Sequence, residues 1–436
     1  MSELFLEIVN RSIAASWIVI AVLILRFCLK KAPKWVNVLL WGIVAVRLIF
    51  PFSIESALSL IPSAETVSPS IMMETAPSVQ TGVPALDQVI NPVIDHSLSP
   101  APGASANPLQ IWISVMAAVW LAGAAALLLY SAISYWRLRR RVREAVILRD
   151  NIYQSENAGS PFVLGIIQPK IYLPYSVDSG ALAYVIAHEQ AHLRRGDHVW
   201  KPLGFLLLTI HWFNPLLWLS YVLLCRDIEL ACDEKVIKHL DCGQRADYMQ
   251  ALVTCSVNRR RIAACPLAFG EIGVKERVKS VMNYKKPTFW IILLAVAACV
   301  VLAVCFLTNP IGFRYDAAAD PIVSAKYFDA RNHTDPIAVD LSAAQIDELS
   351  SRLDGLKNAK PSDTLAGWTP MYQISAQLQD GSYIRANGYS SADDTQVDIE
   401  WNDVHYLVTD REFQDYLSRV CAGVDVAAAE EASARE

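Results

Sequence analysis

Charged residues are scarce in this chain of 436 residues: they make up 19% of it, whereas hydrophobic residues make up 53%. Soluble globular domains usually carry about 25% charged residues. With a mean hydropathy of +0.29, this shortage excludes an ordinary soluble enzyme and indicates a membrane protein of several domains. The formal net charge of −5 also argues against nucleic acid as a direct partner.

Four long apolar runs, at residues 12–29, 36–52, 111–136 and 289–307, approach or exceed the roughly 20 residues that cross about 30 Å of hydrocarbon. Arg47 lies near the end of the second run, where it can reach the interface or pair inside a helix bundle. Glu3 and Glu7 stand where a cleaved signal peptide would carry basic residues, so the first run is interpreted as a retained anchor.

Lysine and arginine are absent from residues 54–108, a stretch rich in Ser, Pro and Ala, and this absence predicts an extracellular loop. Basic residues mark the opposite, cytoplasmic side at positions 26–34, 137–143 and 285–286. Of the nine cysteines, only Cys421 falls in the predicted external part, so a disulfide framework is not expected.

Residues 199–225 are also long and apolar, yet a single crossing there would put two basic flanks on opposite faces. Pro215 interrupts this run, because it removes a backbone donor and disfavours helical geometry at Asn214. The sequence therefore favours a re-entrant hairpin or a buried helix pair that packs against the catalytic helix.

His188, Glu189 and His192 form a His-Glu-x-x-His motif. Positions i and i+4 share a helix face, so both imidazoles can bind one zinc while Glu189 polarises the water that the zinc carries. The surrounding residues predict a helix that begins near Ser176 or Asp178 and ends near Gly196. The alternative is a helix whose histidines only satisfy a buried polar patch.

A catalytic zinc usually takes three protein ligands, and three residues are candidates for the third. His198 has the spacing of metzincins, but Arg195 stands where that motif needs Gly. His211 lies inside the apolar hairpin, where a buried, hydrogen-bonded histidine is the plainer interpretation. Glu229 lies four residues before Asp233 on a predicted helix, so one carboxylate can bind metal while the other orients an imidazole.

The chain resembles the BlaR/MecR-type membrane metallopeptidases, the antibiotic sensor-transducers, over roughly residues 1–310. The resemblance is carried by SPFVLG at 160–165, PKIYLP at 169–174, HEQAHLRRGD at 188–197, ELACD at 229–233 and RVKSVMNYKK at 277–286. It implies that His188, His192 and Glu229 are zinc ligands, that Glu189 is the catalytic residue, and that Asp233 holds a ligand in place.

Members of this family sense an extracellular signal and respond with intracellular proteolysis, commonly of themselves and of a repressor. The partners that the resemblance implies are therefore a protein substrate, the chain itself or a cytosolic repressor. The lipid bilayer is a further expected partner, and a homodimer is left open. After Asn309 the chain lacks the Ser-x-x-Lys and Lys-Thr-Gly motifs of a penicillin-binding sensor, so acylation by β-lactams is not expected and the input signal stays open.

The sequence predicts a polytopic α-helical membrane protein with a cytoplasmic α+β gluzincin-like zinc peptidase domain and a small extracellular α+β C-terminal domain. Within the peptidase domain, a small sheet is expected before the zinc helix, and residues 163–167 are expected to offer an edge strand to an extended substrate. In the C-terminal domain, a capping box at 342–345 and a hairpin turn at Asp380-Gly381 are expected. The predicted parts are two transmembrane helices (1–53), the extracellular loop (54–108), a third transmembrane helix (109–136), the peptidase domain (137–286) with its hairpin (199–225), the last transmembrane helix (287–308) and the external domain (309–436).

Two functions compete with the protease. A non-proteolytic receptor would use the metal as a structural element, but such a site has no need of a base at Glu189. A transporter or channel would fit the number of spans, yet the spans carry few ionisable residues of the kind that mark a conduction path.

Overall fold

The computed structural model divides the chain into two compact units, residues 1–54, 59–81 and 87–308 in the first, and 55–58, 82–86 and 309–436 in the second. The residues that the structure describes are 1–50, 54–56, 58–61, 66–67, 71, 79, 81, 89–90, 92–94, 108–257, 274–309, 315, 317, 320–329, 338–356, 360–361, 372–379, 381–388, 396–401, 404–410 and 412–420.

Nine long helices and a small sheet are described in the first unit. The helices are α1 (Ser2–Cys28), α2 (Lys34–Ile49), α3 (Pro108–Arg141), α4 (Ser179–Arg195), α5 (Asp197–Ile210), α6 (Pro215–Ile237), α7 (Cys242–Val257), α8 (Val274–Met282) and α9 (Phe289–Leu307). The strands are β1 (Val146–Arg149), β2 (Ile152–Ser155), β3 (Phe162–Leu164) and β4 (Lys170–Pro174), and two-residue strands also occur at Ile54–Glu55 and Thr308–Asn309.

Three of these helices, α1, α3 and α9, are long and apolar enough to cross a membrane. The second predicted span corresponds to α2, whose 16 residues extend only about 24 Å at 1.5 Å per residue. Its crossing therefore stays a prediction. Apolar side chains of α1, α2, α5, α6 and α9 share one core, which includes Ile18, Leu40, Leu208, Leu217 and Ala295.

Helices α5 and α6 form an antiparallel pair in the apolar stretch where the sequence favours a hairpin or a buried helix pair. The break between them is local, because Asn214 caps α6 by accepting from the backbone N–H of Leu216 and Pro215 occupies the first turn. The amide of Asn214 also donates to the hydroxyls of Ser12 and Ser16 at 2.9 and 2.8 Å. These bonds fasten the turn to α1.

The small sheet has the strand order β1-β2-β4-β3. Strands β2 and β4 run parallel, and the other two pairings are antiparallel. Strand β3 is therefore an outer strand, and it lies against α4. Two of its residues, Val163 and Leu164, belong to the predicted edge segment 163–167, whereas Ile166 and Ile167 are exposed and lie outside the strand.

The second unit is an α+β fold around a seven-stranded sheet. Its helix α10 (Ala343–Gly355) begins with the predicted capping box between Ser342 and Gln345, which is confirmed, and residues 412–420 are also helical. The predicted hairpin strands pair antiparallel, as expected, although Asp380 itself lies outside the described residues. The strands are β5 (Ile322–Asp329), β6 (Ala338–Asp340), β7 (Lys360–Pro361), β8 (Tyr372–Leu378), β9 (Tyr383–Gly388), β10 (Gln396–Trp401) and β11 (Val404–Thr409), in the order β6-β5-β8-β9-β10-β11-β7.

Candidate metal centre

Helix α4 carries the His-Glu-x-x-His motif and has clear signals at both ends. The side chain of Asp178 accepts from the backbone N–H of Gly180 at the N-terminus. At the other end Gly196 adopts φ 74°, a left-handed conformation that suits glycine, and its N–H bonds to the carbonyl of His192. The predicted helix boundaries are confirmed, and both histidines lie on one buried face.

The structure brings His188, His192 and Glu229 together in the first unit. The two Nε2 atoms lie 3.2 Å apart, and they lie 3.4 Å and 3.5 Å from carboxylate oxygens of Glu229. Tetrahedral bonds of about 2.0–2.1 Å to zinc would separate neighbouring ligand atoms by about 3.3 Å. The donor set and its spacing therefore fit a zinc ion, and all three side chains are buried.

Each imidazole is held through its other nitrogen. His192 Nδ1 lies 2.8 Å from Asp197 Oδ2, and His188 Nδ1 lies 2.9 Å from the hydroxyl of Tyr248, which donates to Asp233 at 2.6 Å. A proton on each Nδ1 leaves the lone pair of each Nε2 for a metal. Burial alone would raise the pKa of Asp197, but its bond to His192 and nearby cations lower it.

Arg277 of α8 is buried at the edge of the same site. Its Nε and Nη2 donate to the two oxygens of Asp233 at 2.7 and 2.6 Å, and its Nη1 lies 3.4 Å from Glu229 Oε2. Burial would raise the pKa of Asp233, but the guanidinium lowers it well below its usual range. Nη2 also lies 3.3 Å from His188 Nε2. Since that nitrogen has one lone pair, a bound metal would leave Arg277 to its carboxylate partners.

Glu229 has a second cation beside it, because the ammonium of Lys201 donates to Glu229 Oε1 at 2.9 Å. Burial favours the neutral acid, yet Lys201 and His192 lower the pKa of Glu229 well below its ordinary value. The carboxylate is therefore ionised at neutral pH, as a metal ligand must be.

Glu189 differs from every other carboxylate of the centre. Its side chain is 6% exposed, yet among the described residues it makes no hydrogen bond and no ion pair. A buried carboxylate without a fixed partner is available to exchange a proton with a bound water or substrate.

The two other histidines considered as third ligands lie elsewhere. His211 is buried in the turn between α5 and α6, and His198 lines a cavity of about 240 Å³ together with β3 residues Val163 and Leu164. Neither belongs to a group of side chains that could hold a metal within the described part of the chain. Arg226, three residues before Glu229, forms an ion pair with Glu276.

A second group of potential ligands overlaps the first. The thiol of Cys232 lies 3.2 Å from His192 Nδ1 and 3.2 Å from Asp197 Oδ2. A metal there would have to displace the hydrogen bond that orients His192. The Nε2 side of the imidazoles is therefore the better metal site.

Helix α6, which supplies Glu229, is fastened to α1 and α2. The carboxylate of Asp227 is fully buried and accepts two hydrogen bonds from Arg26 at 2.8 Å and one from the indole of Trp41 at 2.9 Å. Glu234 further along α6 accepts from the backbone N–H of Lys34 at 2.6 Å. The position of Glu229 thus depends on contacts of α6 with the N-terminal helices.

A known protein family matches the region that holds this site. The profile of the family described as BlaR1 peptidase M56 matches residues 6–281. The methicillin resistance mecR1 proteins of Staphylococcus aureus and Staphylococcus epidermidis are 30% identical over 141 residues, which is 30% of this chain and 24% of theirs. The regulatory protein BlaR1 of Bacillus licheniformis is 25% identical over 228 residues, 46% of this chain and 37% of its own length. The chain thus aligns with well under two thirds of each relative.

Proposed function

This chain belongs to the BlaR1 peptidase M56 family of membrane sensor-transducer peptidases, and we propose that it is a zinc endopeptidase whose site is His188, Glu189, His192 and Glu229. One observation supports the proposal above the others. The two imidazole Nε2 atoms lie 3.2 Å from each other, and each lies 3.4–3.5 Å from one of the two carboxylate oxygens of Glu229. Beside them is the buried Glu189, which has no partner among the described residues. A purely structural metal site does not need such a glutamate.

Zinc, when bound, supplies a Lewis acid that acidifies water and polarises a peptide carbonyl. Glu189 would accept the proton of the attacking water and return it to the leaving amine. Asp197 and the pair Tyr248 and Asp233 would keep the imidazole lone pairs aimed inwards during both steps.

An extended substrate would add to the sheet at β3. That strand is an outer strand, lies against α4, and borders the cavity that His198 also lines. Backbone pairing to the outer strand gives affinity for any extended peptide, while the cavity would select a side chain. Exposed Ile166 and Ile167 would extend the contact beyond the strand.

The placement of basic residues supports a cytoplasmic peptidase domain and an extracellular second unit. We propose that signalling involves three parts of the protein: the second unit, the last membrane helix and a gluzincin-type protease. A stimulus outside would lead to proteolysis inside, of this chain or of a transcriptional repressor. The mecR1 and BlaR1 relatives are named for resistance and regulation, which supports a regulatory rather than a digestive protease.

The test compares the full chain with Glu189→Gln, and uses Glu156→Gln, an exposed glutamate of the turn after β2, as the control. Mass spectrometry would measure the metal content of the purified proteins and the new protein termini in membranes and cytosol. We expect Glu189→Gln to keep its zinc and lose the fragments, with the control unchanged. Fragments that persist in metal-loaded Glu189→Gln would refute the mechanism. Zinc without any fragments in the unaltered chain would favour the non-proteolytic receptor.

A further inference from the structure

A basic cavity lies where α3 meets the small sheet, remote in sequence from the metal motif. Its volume is about 440 Å³. Arg139, Arg140 and Arg143 line it from the end of α3 and the turn that follows, and Lys170 lines it from the first position of β4. In the sequence the arginines indicate membrane orientation, and no local pattern places Lys170 beside them.

No carboxylate of the described residues balances these four cations. Within the described residues none of the four forms an ion pair, whereas Lys201 and Arg277 of the metal centre are both paired with acids. Four like charges around one cavity repel each other, and binding an anion relieves that repulsion. The cavity is therefore built for an anionic ligand.

Aromatic rings hold two of the cations in place. Arg140 stacks 3.5 Å from the ring centroid of Trp136, and Lys170 lies 4.5 Å from the ring centroid of Tyr153. Tyr153 in turn packs on Tyr172, with centroids 5.6 Å apart. Such contacts order the basic side chains before any ligand arrives, which lowers the entropic cost of binding.

The approach to the cavity along α3 is apolar. Leu129, Ile133, Trp136 and Arg140 follow the spacing i, i+4, i+7 and i+11, so they form one stripe on the helix. The first three are 61%, 37% and 51% exposed, and α3 is a candidate membrane span. At 34 residues it extends about 51 Å, well beyond about 30 Å of hydrocarbon, so its basic end reaches the headgroup level. Apolar side chains, an interfacial tryptophan and then arginines match the order of acyl chain, interface and phosphate in a lipid.

We propose that this cavity binds the phosphate headgroup of an anionic phospholipid, such as phosphatidylglycerol, whose acyl chains lie along the Leu129 and Ile133 stripe. Arginines can grip the phosphate through paired N–H donors, and Lys170 adds a point charge from the sheet. A bound lipid would thus bridge the membrane helix and the sheet that holds β3. The site is independent of the proposed proteolysis, because none of its residues belongs to the metal centre.

The test is native mass spectrometry of the detergent-purified full chain with phosphatidylglycerol and, separately, with zwitterionic phosphatidylcholine. The double variant Arg140→Gln, Lys170→Gln is compared with Lys285→Gln, Lys286→Gln. The control pair removes the same charge just before the start of α9, where both lysines are exposed. We expect the unaltered chain to retain one phosphatidylglycerol in preference to phosphatidylcholine, and the cavity variant to bind it about 30-fold more weakly. The control should bind it as the unaltered chain does.

Three results would overturn the proposal. The first is that the unaltered chain retains phosphatidylcholine as well as phosphatidylglycerol. This result needs no variant, so it tests the proposal even if the double variant fails to fold. The second is an equal loss of binding in the control. The third is displacement of the lipid by inorganic phosphate at equal concentration, which would assign the cavity to a soluble anion.

Discussion

Asp197 offers the most direct test of how the metal centre is held together. Its carboxylate is 3% exposed and lies 2.8 Å from His192 Nδ1, with Arg195 Nε at 3.4 Å. Replacing it by Asn keeps an acceptor of the same shape but removes the charge. Replacing it by Ala removes the acceptor altogether and leaves His192 free to turn.

The expected losses follow from the strength of that one bond. A hydrogen bond to a charged group contributes about 1.5–3 kcal/mol, and a neutral one about 0.5–1.5 kcal/mol. Asp197→Asn should therefore cost about 1.4 kcal/mol, or about tenfold in zinc affinity. Asp197→Ala should lower the zinc affinity by up to about 100-fold, which is the upper end of the effect of removing a group that orients a metal-binding histidine.

The assay is the zinc dissociation constant of metal-stripped protein in detergent, measured by competition with a chromophoric chelator. Asp178→Asn is the control, because that residue caps the far end of the same helix and does not touch the metal centre. The unaltered chain and the control should bind zinc most tightly, Asp197→Asn more weakly, and Asp197→Ala most weakly. If both Asp197 variants stay within about twofold of the unaltered chain, Asp197 does not orient His192 as described.

Three further outcomes are expected from thermal unfolding in detergent. Because the pKa of Asp233 is lowered, its carboxylate stabilises the fold above pH about 4, and this contribution disappears as the pH falls further. Asp233→Asn should therefore lower the free energy of unfolding by about 3–5 kcal/mol at pH 7, and by less towards pH 3. Asp227→Asn should cost about 2–4 kcal/mol, since it weakens three hydrogen bonds that fasten α6 to α1 and α2, and an unchanged midpoint would contradict this. Gly123→Ala should lower the free energy of unfolding by about 1–3 kcal/mol, because a Cβ there would lie 2.4 Å from the Trp212 ring. The control Gly42→Ala has open space around it and should be neutral or slightly stabilising.

Features that depend on local chemistry could be predicted from the sequence. The ends of α4 follow from an N-cap at Asp178 and a left-handed Gly196, and both act within one helical turn. The capping box at Ser342 and the hairpin in the second unit are of the same kind. The i, i+4 spacing likewise puts His188 and His192 on one face without any knowledge of the rest of the fold.

Asp233 was predicted to hold a ligand, but Arg277 and Tyr248 could not be predicted, because they come from distant parts of the chain. Arg277 follows His188 by 89 residues and Tyr248 follows it by 60. No periodicity relates such positions. Asp197 is nearer, five residues after His192, and the Gly196 turn that lets the chain double back on α4 was visible in the sequence. The aspartate directly after that glycine is the feature of the sequence that points to this contact.

Helix α6 connects the candidate metal centre with helices α1 and α2. Asp227, Glu229 and Asp233 lie within two turns of it and face α1 and α2, the two imidazoles, and Arg277 respectively. A slide of α6 by a single residue would move Glu229 by about 1.5 Å along the axis. That movement is several times the tolerance of about 0.2 Å on a metal–ligand distance. The bonds from Arg26 and Trp41 to Asp227 therefore help to decide whether Glu229 lies within reach of an ion at the two imidazoles.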